Sequence, residues 1–255
     1  MKPHKNDNSK RVWIYGQHAC FSAMANNNRK IYKILTVEKY KEEILNILAE
    51  RNDALSNGVI SIANRETIEK YLSEDSIHQG IAIQVDPLLT EDINIFTSNL
   101  DSDKKSCVLI LDQVTDTRNI GSIIRSAVAF EVDAIIFTKT HFPKENGMMV
   151  KAAAGGFERI NLIEVSNLSN AIDHLKKEGF WIVGLDAHTD KYLHQLDSFP
   201  KTALVLGSED KGMRDLTKKS CDFLAKIPMN SNNMESLNIS NASAVALYEL
   251  YKKSI

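Results

Sequence analysis

Three stretches beyond residue 110 place polar side chains and glycines where a plain connector would need neither. In LDQVTDTRNIGSIIRSA, Asn119 and Gly121 open an apolar-periodic segment that carries Arg125 further along. The free amides of a helix N-terminus suit an anion or a phosphate, and a guanidinium can clamp such a group with two parallel hydrogen bonds. An Asn N-cap followed by an ordinary surface Arg would leave the same residues in the sequence. In LVLGSEDKGM, an apolar run ends in Gly207, Ser208, Glu209 and Gly212. Two glycines around an acid suit close backbone approach to a ligand, and they equally suit a tight turn. The third stretch, IPMNSNNMESLNISNASAVALYELYKKS, runs from apolar residues ending at Ile227, Pro228 and Met229 through a polar run into a helical pattern. The seven histidines and three cysteines form no ligand-spaced cluster, so metal chemistry has no donor set.

Elements must hold these stretches together. In the first part of the chain VWIY, KILTV, GVISI and GIAIQV read as strands, with helices around HACFSAMA, EKYKEEILNILAER and NRETIEKYL. This is a small α/β unit, expected over 1–86. The polar, weakly periodic 87–106 reads as a linker. A second unit over 107–255 has CVLILD, AIIFT, RINLIEV, FWIVGLD, TALVLGS and FLAKIPM as strands, with helices that include NIGSIIRSAVAF and SNAIDHLKKEG. Apolar strands alternating with helices predict a parallel sheet covered on both faces, whose ligands collect at the carboxyl ends of the strands.

Composition agrees with an ordinary folded chain. The 255 residues are 43% hydrophobic and 25% charged, enough for a sizeable core. No apolar run reaches a membrane span, and the polar start MKPHKNDNSKR has no apolar secretory core, so a cytoplasmic protein is expected. Cys20, Cys107 and Cys221 stand singly in apolar surroundings and read as buried thiols. A net charge of −2 argues against gripping nucleic acid with the whole surface and leaves room for a local basic patch.

Taken together, NxGxxxRxA, LGSExxG, and IPM followed by ESLNIS closely resemble, in order and spacing, the three motifs of the SpoU (TrmH-like) branch of the SPOUT RNA 2'-O-ribose methyltransferases. IYGQHAC and HQGIAI resemble the start and end of that family's N-terminal substrate-binding domain, and KAAAGGFERI its middle helix and strand. The resemblance spans nearly the whole chain. It implies a ribosomal-protein-like α/β domain, then a parallel α/β domain whose C-terminal segment forms a deep trefoil knot, a topology no periodicity reveals. It also implies S-adenosylmethionine as cofactor, held bent and mostly by backbone groups, with the adenine among apolar residues. By position the cofactor-binding residues are Leu206, Gly207, Ile227, Met229 and Leu237. The resemblance assigns catalysis to Arg125, with Asn119 and Glu209 orienting it and the loops, and turns Ser236 and Asn238 toward the RNA and its ribose. Asn241 and Ser243 then only cap or pack the last helix, and Asn232 and Asn233 read as solvated loop.

A guanidinium keeps its proton, so Arg125 is read as binding the adjacent phosphate and stabilising a developing alkoxide rather than as a base. The family's ribosomal RNA members share the N-terminal domain and its HQG ending, so a guanosine 2'-hydroxyl of 23S rRNA in the peptidyl-transferase region is the leading target and a transfer RNA ribose the runner-up. His78, Gln79 and the basic start Lys2, Lys5, Lys10 and Arg11 are candidate contacts. A homodimer is implied, and the last helix carries a stripe of Val245, Leu247, Tyr248 and Tyr251 that packing on a partner or within the monomer would use. Two departures stand out: Thr117 where the family has Pro, and no glycine in NSNNMES. An inactive RNA-binding assembly factor would be expected to lose Arg125, Asn119 or Asn238, all present. A Rossmann enzyme would need a GxGxxG that the chain lacks.

Overall fold

The computed structural model describes residues 11–51, 58–101, 104–230 and 236–253. Up to Leu88 the order is β1 (Val12–Tyr15), α1 (Gln17–Ala25), β2 (Ile31–Thr36), α2 (Lys41–Ala49), β3 (Ile60–Ile62), α3 (Arg65–Glu69) and β4 (Ile81–Val85). There follow α4 (Ile93–Ser98), β5 (Ser106–Asp112), α5 (Thr117–Ala129), β6 (Ala134–Thr138), α6 (Gly147–Ala152), β7 (Asn161–Val165) and α7 (Leu168–Lys177). The chain ends with β8 (Trp181–Leu185), β9 (Lys201–Gly207), α8 (Asp215–Ser220), β10 (Phe223–Ala225) and α9 (Ile239–Lys252). None of the helices among the described residues is long and apolar enough to cross a membrane.

Two compact units form: the described residues of Met1–Leu88 with Lys144–Glu158, and those of Leu89–Pro143 with Arg159–Ile255. The first holds a sheet of order β1-β4-β2-β3, antiparallel except where β3 joins β2. Strand alternation sends Ile14, Ile34 and Ile83, all fully buried, to one face, and Tyr15, Leu35 and Ala82 to the other, where Ile68 of α3 covers them.

Lys144–Glu158, expected within the 107–255 unit, belongs to this first unit through a buried ion cluster. Arg29, 1% exposed, donates from Nε to both Glu158 oxygens at 3.0 Å, from Nη2 to Glu158 Oε1 at 2.7 Å, and lies 2.8 Å from Glu145. Asn26 donates to Glu158 at 2.7 Å. The resemblance's middle helix is α6, but Gly156–Glu158 is a 3-10 turn rather than a strand, and β7 begins only at Asn161. At Gly155, with φ +90°, an added Cβ would stand 2.4 Å from Ser22 Oγ.

Burial raises the Glu145 carboxyl above its ordinary value even against the Arg29 charge. Arg29→Ala should therefore leave two buried carboxylates uncompensated and cost about 3–5 kcal/mol of stability by urea unfolding. The raised Glu145 carboxyl binds its proton more tightly folded than unfolded, so the loss should grow as pH rises above the ordinary carboxylate value.

The second unit carries a six-stranded, fully parallel sheet of order β10-β8-β9-β5-β6-β7, as the apolar runs predict. Val108, Ile110, Ala134, Ile136, Ala203 and Val205 face Leu168, Ala171, Ile172 and Leu175 of α7 in one core. Leu109, Leu111, Ile135, Phe137, Leu204 and Leu206 alternate with them and are also buried, so both faces are covered. The stretch read as a linker is partly built into this unit: Phe96 of α4 is 4% exposed in the core, and Glu91 N donates to Leu162 O at 2.8 Å. All three cysteines are free, and burial pushes the Cys107 thiol up to about 12.

Candidate active site

The carboxyl ends of β8, β9 and β10 and the start of α9 enclose a cavity of about 420 Å³, within the range of small-molecule sites. Its wall is made by Leu185 and Asp186 after β8, Leu206 to Glu209 after β9, Lys226, Ile227 and Met229 after β10, and Ser236 to Ile239. Eight of the ten candidate site residues thus surround one space: Leu206, Gly207, Glu209, Ile227, Met229, Ser236, Leu237 and Asn238.

Each arrives by a local device. Gly207 ends β9 where an added Cβ would lie 2.0 Å from Met213 N and 2.1 Å from Gly212 C, so only glycine fits. Beyond it Ser208 and Gly212 exchange backbone hydrogen bonds of 3.1 and 2.9 Å, closing a turn that projects Glu209. The strand expected to run to Met229 stops at Ala225. Pro228 has no N–H for a ladder, and Ile227 and Met229 line the cavity as irregular backbone instead. Asn238 is the N-cap of α9: its Oδ1 accepts from Ser240 N at 2.9 Å and Ser240 Oγ at 2.6 Å. Its carboxamide oxygen is therefore committed to the helix, and its NH2 group has the donors that remain for a ligand. Ser243 is fully buried packing, while Asn232 and Asn233 lie outside the described residues, as do Lys2, Lys5 and Lys10.

Arg125 and Asn119 do not line the cavity. Both sit on α5, whose N-cap is Asp116 rather than Asn119: the Asp116 carboxylate accepts from Asn119 N at 2.8 Å. Asn119 Nδ2 donates to Glu209, tying α5 to the turn after β9. Arg125 is exposed and makes no ion pair or hydrogen bond to the described residues. Thr117 is the first residue of α5, the position where Pro's fixed φ and missing N–H cost a helix nothing, so Thr here keeps the helix start.

Sequence reasoning missed the anchor of the second loop. Asp112, fully buried at the end of β5, accepts from Arg214 Nε at 2.7 Å and Arg214 N at 3.0 Å. It also missed Asp186 and Tyr192 in the cavity wall. Burial opposes ionisation of Asp186, but hydrogen bonds from Lys218 and the His188 amide hold its carboxyl below the ordinary value. The signal available for both acids was an Asp closing an apolar strand. His78 is buried in the turn before β4, while Gln79 is exposed and its side chain reaches the start of α1. His78 is 5% exposed, its Nδ1 accepts from Gly80 N at 3.2 Å, and Gln79 Oε1 accepts from Gln17 N at 3.0 Å.

Comparison with known proteins agrees with this architecture. The family model of the SpoU rRNA Methylase family matches residues 106–248, and that of RNA 2'-O ribose methyltransferase substrate binding matches 13–90. The 23S rRNA (guanosine-2'-O-)-methyltransferase RlmB of Coxiella burnetii is 37% identical over 96% of this chain and 97% of its own. The enzyme of the same name from Pseudomonas aeruginosa is 34% identical, over 94% and 96%. The SpoU methyltransferase AviRb of Streptomyces viridochromogenes, solved in complex with AdoMet, shares the fold with a TM-score of 0.77 at 19% identity, over 99% of this chain and 94% of that one. Matched along nearly its whole length by such relatives and over 106–248 by the family model, the chain belongs to the SpoU rRNA methylase family.

Proposed function

We propose that the chain methylates the ribose 2'-hydroxyl of a guanosine in 23S rRNA, with S-adenosylmethionine as methyl donor. The observation that carries this reading is one cavity formed by the second and third motif loops, with Arg125 of the first motif exposed outside it. S-adenosylmethionine would supply an activated sulfonium methyl. Leu206, Ile227, Leu237 and Ile239 give apolar walls suited to an adenine, and the backbone around Gly207 can approach a ligand without a side chain intervening. Because the donor is already activated, the protein's task is alignment and easing proton loss from a poor nucleophile. Arg125 holds the RNA phosphate and stabilises charge on the attacking oxygen, while Glu209 and Asn119 fix the turn and helix relative to each other. Ser236 and the Asn238 NH2 group face the ribose. The three-loop wall of the cavity supports the threaded trefoil knot of the family for the C-terminal segment. The enzyme acts in the cytoplasm, where its ribosomal substrate is. Transfer of labelled methyl to 23S rRNA, and not to transfer RNA, in the presence of chelator tests the reading; strict dependence on added divalent metal for cofactor binding would contradict it.

The last helix supports a homodimer. Of the expected stripe only Leu247 is fully inside, with Ile239, Ser243 and Ala246, whereas Val245 and Tyr248 are 45% and 53% exposed, and Phe130 lies 5.9 Å from Tyr248. This exposed apolar surface supports pairing of two copies. Tyr248→Glu should convert a dimer into a monomer by light scattering; a wild-type monomer at micromolar concentration would remove the dimer.

A further inference from the structure

Strands β1, β4 and β2, which lie side by side in the first sheet, carry unlike side chains at one level. Trp13 of β1 is opposite Gln84 of β4, and Gln84 is opposite Lys33 of β2. Directly opposed residues share a face, so a flat aromatic, a carboxamide and an ammonium stand in a row across the sheet. The far half of that face is sealed by Ile68 over Tyr15, Leu35 and Ala82. The near half is only partly covered: Trp13, Gln84 and Lys33 are half-buried, and Tyr71 beside them is 43% exposed.

The rings there are coupled to cations. Tyr71 lies 5.0 Å from Trp13 with its plane tilted 42°, and Lys33 Nζ stands 4.6 Å from the Tyr71 centroid and 3.2 Å from its hydroxyl. Next along the strand, where β2 shifts register between Ile31 and Lys33, Tyr32 carries the Arg11 guanidinium 3.5 Å from its centroid and Lys30 at 5.3 Å. The Asp86 carboxylate accepts a hydrogen bond from the Tyr32 hydroxyl at 2.7 Å.

We infer that this half-open sheet face is a platform for unpaired nucleotides of the RNA substrate, with bases stacking on Trp13 and Tyr71, Gln84 meeting a base edge, and Lys33, Arg11 and Lys30 meeting phosphates. The inference rests on the proposed RNA substrate and locates where the first unit meets it. Partly exposed aromatics at a sheet face with interleaved cations suit single-stranded nucleic acid, because every base has a face to stack and every nucleotide brings a charge. A duplex hides both base faces, and a protein partner would bring no uniform negative charge to match three cations. The patch also answers how a chain of net charge −2 binds RNA: the positive charge is local.

Trp13 reports on the test. The chain's other tryptophan, Trp181, stacks on Phe199 at 5.0 Å, so Trp181→Phe isolates the Trp13 emission. In that background a single-stranded RNA oligonucleotide should quench the emission, and the matching duplex should not. Tyr71→Ala and, separately, Lys33→Glu should each weaken single-strand binding about tenfold or more, with KM for RNA rising and kcat held. Binding of S-adenosylmethionine should stay unchanged in both, which keeps this result separate from the assignment of the reaction, and an unchanged Trp13 emission spectrum without RNA in the Lys33→Glu chain shows that the first unit is folded. Emission unchanged at saturating RNA, or a Lys33→Glu chain that binds RNA as tightly as the parent, overturns the platform. Quenching by RNA in a chain that methylates no 23S rRNA would leave the platform standing and remove the proposed target.

Discussion

Replacing Arg125 with Ala is expected to lower kcat for RNA methylation by about 100-fold or more while the dissociation constant for S-adenosylmethionine stays within about twofold. The division follows from position. Arg125 is exposed on α5 and absent from the cavity wall, so removing it takes nothing from the space that would hold the cofactor. What it removes is a fixed positive charge, which is worth most when the attacking oxygen is becoming an alkoxide. Arg125→Lys should recover only part of the rate, because an ammonium lacks the planar fork that grips a phosphate at two points. Titration calorimetry with the cofactor and single-turnover kinetics with RNA separate the two quantities. A parallel loss of cofactor binding would place Arg125 in the cofactor site after all.

Gly207→Ala should have the opposite pattern and lower cofactor affinity by about 100-fold or more, a loss of nearly 3 kcal/mol of binding. The new methyl would meet backbone atoms of Gly212 and Met213 at 2.0 to 2.1 Å, and backbone cannot swing aside as the tip of a side chain can. The turn from Ser208 to Gly212 must open, taking with it Glu209 and the contact to Asn119. Some stability is also lost, about 1–3 kcal/mol as for other overpacked sites. Gly58→Ala is the control, since nothing lies within 4 Å of the Cβ it would add. Cofactor affinity and the unfolding midpoint of the two variants, measured together, check the claim; normal binding in Gly207→Ala contradicts it.

What the sequence made legible follows the range of the interactions involved. The runs CVLILD and AIIFT appear as β5 and β6 within a residue, because a strand buried on both faces needs little beyond its own apolar side chains. The cavity residues of the second and third motif loops were legible from the motifs, and strand ends in a parallel sheet are where a site belongs. Gly207 shows the limit of that reading. Its glycine suggested room for a ligand, whereas the closest demand comes from the chain's own turn at Gly212 and Met213.

Contacts far apart in sequence left no local trace. Arg214 reaches Asp112 across 102 positions, and Arg29 reaches Glu158 across 129, so neither the loop anchor nor the transfer of Lys144–Glu158 to the first unit could be read from periodicity. The last helix misled for a different reason. Its buried side includes Ser243 and Ala246, small residues that let α9 sit close to α5, while the more conspicuous Val245 and Tyr248 point away from the core. A stripe judged by hydrophobic letters therefore mixed the inner face with the outer one. Similarly, Asn238 looked free for ribose because capping is a matter of backbone geometry, and the sequence alone offered Asn241 equally well.

The most direct test of the reaction and its target together is a map of ribose 2'-O-methylation across all cellular RNA, compared between cells with and without this gene. Loss of one guanosine methyl in 23S rRNA, restored by the parent chain and not by Arg125→Ala, is the predicted result. A 23S rRNA map unchanged by the deletion, with a ribose methyl lost only from a transfer RNA, would contradict the account.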